Sequence, residues 1–418
     1  MKTNYKAIIL LLISIVSSGL AQGLTIIAIP WYFTDILHKS SNFSILYGLI
    51  TFIGLFWGLY SGVIIDNYNR KKILLYINIF GAAIFGLIGS LQALLDSAHP
   101  LLMFLGFAIC SLYYIIFFPS LYAIIQELTN QKDYIRVNSF VEIFMQTTSI
   151  IAAIMCGLLL SGSNIFLNYI DWLDFEFDKW AIKDIFFLNA ILYLASFVIL
   201  LFIKYKPLDT ANTACGQVWR EIKVGFDFLM TNRKILIYGI CSQIIFAFLI
   251  VELFTLLPLF VKNYLNETIV VFSFADVTYG FGAIIAGLIT IHILKYVGKF
   301  NFTIFLIILT GYAVLIMMKF QDLNVFFFTT LIIGVTNASA RITRMSYLFE
   351  RISSNLMGRI NTIFNTINTL IRGILIFVFS APWFSEGTNV LVGYKIGIYV
   401  LILFALPLII LKSKKFKF

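Results

Sequence analysis

The chain has 418 residues, of which 61% are hydrophobic and only 12% are charged. Soluble proteins carry about 25% charged residues, so the composition excludes an ordinary soluble domain and predicts a polytopic membrane protein. Lys and Arg outnumber Asp and Glu by 30 to 20. Because apolar runs recur along the whole chain, we attribute this excess to cytoplasmic loops rather than to nucleic-acid binding.

Apolar segments long enough to cross a bilayer predict an all-α protein of twelve transmembrane helices, with both termini on one side. The first segment follows Lys2 and Lys6 and continues through LTIIAIPWYF. This length exceeds the apolar core of a cleaved signal peptide, so we expect the helix to be retained. The predicted spans are 7–34, 43–65, 73–95, 101–125, 137–161, 185–204, 235–260, 269–294, 301–319, 323–345, 360–383 and 390–411.

The distribution of cations predicts the orientation. Most of the 30 Lys and Arg residues fall in the loops on the side of the two termini. The positive-inside rule therefore places the N- and C-termini in the cytoplasm. We expect a multi-pass protein of a bacterial-type cytoplasmic (inner) membrane.

The loop after the second predicted span, LYSGVIIDNYNRKKIL (59–74), concentrates charge in an otherwise apolar region. Gly62 permits close approach of another helix, and Asp66 lies one turn nearer the cytoplasm on the same face. A carboxylate there suits the positive N-terminal end of a neighbouring helix. Arg70 and Lys71 would hold Asp66 or meet lipid phosphate. The alternative is that the cations are ordinary inside anchors, which we favour for Lys72.

A polar linker at 206–234 divides the spans into six plus six. Within it, QVWREIKVGFDFLM has an apolar face typical of an amphipathic helix on the membrane surface; the residues of that face are Trp219, Ile222, Phe226 and Leu229. We expect an N-terminal bundle at 1–205 and a C-terminal bundle at 235–418. Weak matches in the same order, such as RVNSF at 136–140 and RINTI at 359–363, favour a duplicated half.

Ionisable residues inside predicted spans are candidates for function because burying them in a membrane is costly. Glu252 in FLIVELFTLLP is the best candidate for a proton-coupling group. Arg372 lies at a similar depth and could pair with it, either as part of the mechanism or as a static ion pair. Asp35 ends the first span as a gate, a coupling acid or a solvated residue. Glu142 shares a helix face with Gln146 and either lines a cavity or pairs with a cytoplasmic Arg.

Other charged features have plainer interpretations. We expect Asp276 to be interfacial, and Arg341 and Arg344 to snorkel or pair near the inner end of the tenth span. The outer loop 163–184 contains DWLDFEFDKW, which we interpret as an interfacial hairpin with aromatic anchors. The alternatives for this loop are a lid and a site that attracts cations.

Sequence patterns for catalysis or cofactor binding are missing. The chain has no GxxxxGK[ST] phosphate-binding loop, no HExxH motif and no paired cysteine spacing. We therefore expect no enzyme activity, no metal and no cofactor, with the proton gradient as the energy source.

At this point the sequence resembles the major facilitator superfamily, whose loop between spans two and three reads approximately G-x-x-x-D-[RK]-x-G-[RK]-[RK]. Gly62, Asp66, Arg70 and Lys71 match this motif. Asn69 replaces the second glycine; Asn tolerates left-handed backbone, so we expect the turn to survive. IPWYFTD, QELTNQKDYIRVNSF, WREIKVGFDFL and MGRINTIF are similar to the branch of macrolide efflux and enterobactin exporter proteins.

The resemblance implies two pseudo-symmetric six-helix bundles, with a cavity lined mainly by spans one, four, seven and ten. It implies that Asp66 latches the cytoplasmic gate against span eleven, which begins near Gly358 and Arg359. The corresponding loop of the second half keeps Gly287, Gly298 and Lys299 but has no Asp.

We therefore predict a secondary exporter of a lipophilic or amphipathic small molecule, driven by proton antiport through alternating access. One alternative is a transporter of a specific metabolite, siderophore or lipid in either direction. Another is a membrane scaffold that transports nothing. The expected partners are the small-molecule substrate and membrane lipids, not nucleic acid, and the expected state is a monomer.

Overall fold

The computed structural model describes residues 4–95, 99–130, 133–162, 178–204, 215–352 and 354–413. These described residues are 88% helical and include no strand. Twelve helices in this part of the chain are long and apolar enough to cross a membrane, which confirms the predicted number of spans. Inner and outer below refer to the orientation predicted from the charges.

Six of these helices belong to the N-terminal half of the chain. They are α1 (Tyr5–Asp35), α2 (Ser40–Asn67), α3 (Arg70–Leu94), α4 (Pro100–Leu128), α5 (Tyr134–Ser161) and α6 (Ile182–Leu201). The C-terminal half contains α7 (Cys215–Thr231), α8 (Arg233–Cys241), α9 (Ile244–Thr255), α10 (Ile269–Leu294), α11 (Lys299–Lys319), α12 (Leu323–Phe349), α13 (Ser354–Phe379) and α14 (Val390–Ser413).

The chain forms two compact units. Unit 1 contains Met1–Lys39, Ile53–Thr213 and Thr268–Val277. Unit 2 contains Ser40–Phe52, Ala214–Glu267 and Thr278–Phe418. The first turns of α2 therefore belong to unit 2, and the first turns of α10 belong to unit 1.

Unit 1 is built around α1, which contacts α4, α5 and α6. Polar side chains join these helices within the apolar core. The Asn189 amide donates to Thr25 Oγ1 at 2.8 Å, and the Tyr114 hydroxyl donates to the Ser18 carbonyl at 2.5 Å. Lipid tails are as apolar as the helix surfaces, so such hydrogen bonds and close packing hold membrane helices together.

In unit 2, α10 and α12 cross at two glycines. A Cβ atom at Gly282 would overlap the carbonyl of Leu331, and one at Gly334 would overlap the carbonyl of Tyr279. Beside this crossing, the hydroxyls of Thr278 and Thr330 are hydrogen-bonded at 2.6 Å. Because glycine has no side chain, the two helices can approach this closely at both positions.

The seventh span is interrupted, although the sequence predicts one continuous segment at 235–260. The helix breaks between α8 and α9, and a π-helix, Phe260–Leu265, follows α9 and a short helical turn. Pro258 has no N–H to donate to the carbonyl one turn earlier, which accounts for the irregularity after α9. Glu252 lies in α9, between the break and the proline.

The linker contains the helix that its pattern predicts. Its apolar face is divided, because Leu229 is fully buried whereas Phe226 is 49% exposed. Helix α7 packs on α13, where a Cβ at Gly225 would lie about 3 Å from Arg359 and Ile363. The side chains of Trp219 and Ile222, and residues 163–177 of the outer loop, lie outside the described residues.

Candidate functional site

The turn between α2 and α3 differs from the expected left-handed turn. Asn69 has φ −62° and is the N-cap of α3. Its side-chain oxygen accepts hydrogen bonds from the backbone N–H groups of Lys71 at 3.0 Å and Lys72 at 3.2 Å. The expectation of left-handed backbone was therefore wrong. Asparagine at this position can satisfy unpaired N–H groups at the start of the helix, which glycine cannot do.

The two motif cations have partners within unit 1. Arg70 forms an ion pair with Glu127 in the last turn of α4. Only 6% of the Glu127 side chain and 24% of the Arg70 side chain are exposed. The Lys71 ammonium donates to the carbonyls of Leu201 at 3.1 Å and Ile203 at 2.7 Å. It therefore caps the C-terminal end of α6, where cations are favoured.

The backbone of Gly62 and Asp66 belongs to α2, but their side chains lie outside the described residues. The latch between Asp66 and the start of the eleventh span therefore stays a prediction.

A similar ion pair occurs in unit 2. Lys299 begins α11, pairs with Glu350 immediately after α12, and donates to the Ser346 carbonyl at 3.2 Å. The hydrogen bond from Lys299 holds the pKa of the Glu350 carboxyl below its ordinary value. In each half, a cation at the start of the third spanning helix thus pairs with an acid at the end of the fourth.

Glu252 is 8% exposed and is held by a tyrosine of another helix. The Tyr394 hydroxyl donates to Glu252 Oε1 at 2.6 Å. Tyr394 is fully buried, and its ring packs edge-on against Phe260 at 5.2 Å. The carboxyl group therefore lies within the packed interior of unit 2 and is bonded to a neutral donor.

Arg372 does not pair with Glu252. Its guanidinium donates to the Tyr47 hydroxyl at 3.0 Å, and the Tyr47 ring packs edge-on against Phe254 at 4.9 Å. No described ion pair joins Arg372 to Glu252, so each charged group is bonded to its own tyrosine. The first turns of α2 also contact α13 through the Ser41 hydroxyl, which donates to the Ser380 carbonyl at 2.5 Å.

The remaining acids lie at three places. Asp35 is the half-buried last residue of α1. Glu142 in α5 accepts a hydrogen bond from the Tyr122 hydroxyl at 2.9 Å. Asp276 in α10 accepts one from Ser149 of α5 at 3.3 Å. Asp276 thus takes part in a contact between α5 and α10. The expected position at the membrane interface did not predict this contact.

Two observations on the part of the chain that the structure describes concern possible metal ligands and thiols. No group of three or more His, Cys, Asp or Glu side chains there could hold a metal ion. Cys110, Cys156 and Cys241 are buried free thiols. Arg341 is exposed and Arg344 half-buried near the inner end of α12.

The sequence profile described as Major Facilitator Superfamily matches residues 11–376. The chain belongs to the major facilitator superfamily. It is accordingly a multi-pass membrane protein, and the fold implies secondary active transport. A comparison with curated proteins gives no match.

Several solved structures share this superfamily's fold. The nucleoside transporter NupG is 14% identical, with a TM-score of 0.70 over 98% of this chain and 100% of that chain. A bacterial metal transporter is 12% identical, with a TM-score of 0.68 over 98% and 99%. A bacterial homologue of the human lysosomal transporter Spinster is 12% identical, with a TM-score of 0.65 over 98% and 96%. At these identities the likeness concerns the fold alone.

Sequence reasoning missed the partners that hold the superfamily motif and the buried acids. Glu127 is the only acidic residue of α4, and that was a usable signal for a partner of Arg70. Tyr47, Tyr394 and Ser149 gave no signal, because a hydroxyl in an apolar helix marks no particular neighbour.

Proposed function

We propose that this transporter exports a lipophilic or amphipathic small molecule in exchange for protons. In this proposal it works as a monomer in a bacterial-type inner membrane, with both termini in the cytoplasm. The bundles at 1–205 and 235–418 expose the bound cargo to one side of the membrane and then to the other, as in the macrolide efflux and enterobactin exporter branch that the motifs resemble. The supporting observation is the buried Glu252 carboxyl, whose hydrogen-bond donor is the neutral Tyr394.

The tyrosine contact suits a group that binds and releases a proton. A phenol O–H can donate to a carboxyl oxygen in either protonation state, so the contact persists when the proton arrives. A direct ion pair with Arg372 would instead favour one charged form strongly. Arg372 is bonded to Tyr47, which leaves Glu252 without that constraint.

Alternating access also requires gates. The contacts of Arg372 and Ser380 with the first turns of α2 lie at the predicted outer ends of α2 and α13. The predicted Asp66 latch would join the inner ends of the same two helices. We propose that these two sets of contacts form in alternation as the transporter cycles.

The test is dye transport by purified protein in liposomes, with Hoechst 33342 as the lipophilic probe. We expect an imposed pH gradient to drive dye flux and an uncoupler to abolish it. Glu252→Gln should lose gradient-driven flux but keep dye exchange at equal pH, because exchange needs no net proton movement. Glu386→Gln, which changes an exposed loop acid, is the matched control. Flux whose pH dependence survives Glu252→Gln would eliminate Glu252 as the coupling group.

A second candidate is a transporter of a specific metabolite, siderophore or lipid. The half-buried polar side chains Tyr122, Glu142 and Gln146 favour this alternative, since they offer hydrogen bonds that a purely lipophilic cargo cannot use. Inhibition of dye flux by a hydrophilic solute, in a panel that includes nucleosides, peptides and chelated iron, would favour it. A lack of flux for every member of the panel would favour a scaffold role.

A further inference from the structure

A row of polar side chains runs along one face of α5 in unit 1. Glu142, Gln146 and Ser149 are spaced four and three residues apart, so they share one face of the helix. All three are half-buried. The opposite face is the exposed one, with Ile143 at 57% and Ile151 at 41%. The polar residues therefore point away from the surface that α5 presents to lipid.

The first turns of α10 bring a second carboxyl group to this row. Phe272 stacks on Trp31 of α1 with ring centroids 5.6 Å apart. A Cβ atom at Gly157 of α5 would lie 3.1 Å from the Cβ of Ser273, so the two helices approach closely there. One turn further along, Asp276 accepts its hydrogen bond from Ser149.

The surroundings of Asp276 contain no described counter-ion. It takes part in no described ion pair, and its hydrogen-bond donor is the neutral Ser149. An uncompensated carboxylate in a membrane is costly. Such a group is stabilised when it takes up a proton or a cation.

The row runs along α5 from the inner half of the predicted membrane toward its outer half. Glu142 lies about two turns from the inner end of α5, and Ser149 lies about 10 Å further along the helix axis. Adjacent members are separated by one helical turn, a gap that one bridging water can span. At the inner end, Glu142 is held by the Tyr122 hydroxyl.

We propose that Asp276 is a second proton-carrying group and that the polar face of α5 is its proton route to the inner side. The Asp276 carboxyl gives its proton to a bridging water. A proton then passes along bridging waters, which Ser149 and the Gln146 amide hold by hydrogen bonds, to the Glu142 carboxylate, which releases it to the inner solution. One O–H bond breaks as the next forms, so no other reactant is needed. This route rests on the proton coupling proposed above.

The transport experiment separates the route from general damage to α5. Asp276→Asn should lower gradient-driven Hoechst 33342 flux by about a hundredfold, the usual contribution of a positioned proton-transfer group. Gln146→Leu should slow gradient-driven flux while equal-pH exchange continues. Thr147→Leu, one residue along on the exposed face, is the matched control and should change neither.

A second measurement keeps the proposal independent of the choice of cargo. Infrared spectra of the protein in lipid nanodiscs, recorded through a pH titration, should show a protonated-carboxyl band that Asp276→Asn removes. If the wild type transports the dye and both Asp276→Asn and Gln146→Leu transport it equally fast, the route is overturned. Proton-coupled export would then still stand. Absence of wild-type gradient-driven flux would overturn the proposed export. The infrared titration then decides the route by itself. The route is overturned if Asp276→Asn removes no protonated-carboxyl band, or if the band it removes is a carboxylate band that depends on sodium.

Discussion

The ion pair between Arg70 and Glu127 gives the sharpest quantitative prediction. Glu127→Gln removes the charge of a side chain that is only 6% exposed and leaves a guanidinium that is 24% exposed. Breaking a buried ion pair costs about 3–5 kcal/mol. Because Arg70 can still reach some water, we expect a smaller loss of unfolding free energy, about 2 kcal/mol, which is typical of a lost hydrogen bond to a charged group. This is about a thirtyfold change in the unfolding equilibrium.

A double-mutant cycle measures this interaction. The unfolding free energies of wild type, Glu127→Gln, Arg70→Gln and the double variant would be compared in mixed micelles titrated with denaturing detergent. We expect a coupling energy of about 2 kcal/mol, since the second substitution removes the charge that the first leaves without its partner. The matched cycle on Lys299 and Glu350 should give a much smaller coupling energy, because the Glu350 side chain is 57% exposed and water screens its charge.

Additive free energies at Arg70 and Glu127 would refute this reasoning. They would show that each side chain finds solvent or another partner when the first is lost. A coupling energy for the exposed pair equal to that of the buried pair would also refute it, because burial would then not be the cause of the difference.

The other predictions concern helix ends and helix crossings. Lys71→Met should destabilise the protein by about 1–2 kcal/mol in the same unfolding assay, because the last turn of α6 loses its cationic cap; an equal effect of Lys72→Met would contradict a specific cap. Asn69→Ala should cost about 1 kcal/mol, and Asn69→Ser should restore most of it, since serine also caps helices; no loss with alanine would exclude the cap. Gly334→Leu should abolish the monodisperse peak in size-exclusion chromatography, whereas Gly287→Leu, which has open space around its Cβ position, should not.

The sequence predicted the positions of the helices better than the contacts between side chains of different helices. Hydropathy and amphipathic spacing are local properties, so the twelve spans and the linker helix could be read from consecutive residues. The bond between Glu252 and Tyr394 joins residues 142 positions apart, and no local pattern selects one tyrosine from 21. The broken seventh span was missed for a related reason. A hydropathy window detects apolar residues but not the positions at which backbone hydrogen bonds are interrupted.

The two related ion pairs bear on the role of Asp66. In the first half, Arg70 at the start of α3 pairs with Glu127 at the end of α4; in the second half, Lys299 at the start of α11 pairs with Glu350 at the end of α12. The corresponding loop of the second half has no Asp, yet the contact between its third and fourth spanning helices is present. That contact therefore does not require an acid at the position of Asp66. A residue needed only in the first half suits an asymmetric task, and a latch at one end of the transporter is such a task. Asp66→Asn should accordingly abolish transport while leaving the unfolding free energy and expression unchanged, and wild-type transport by this variant would exclude the latch.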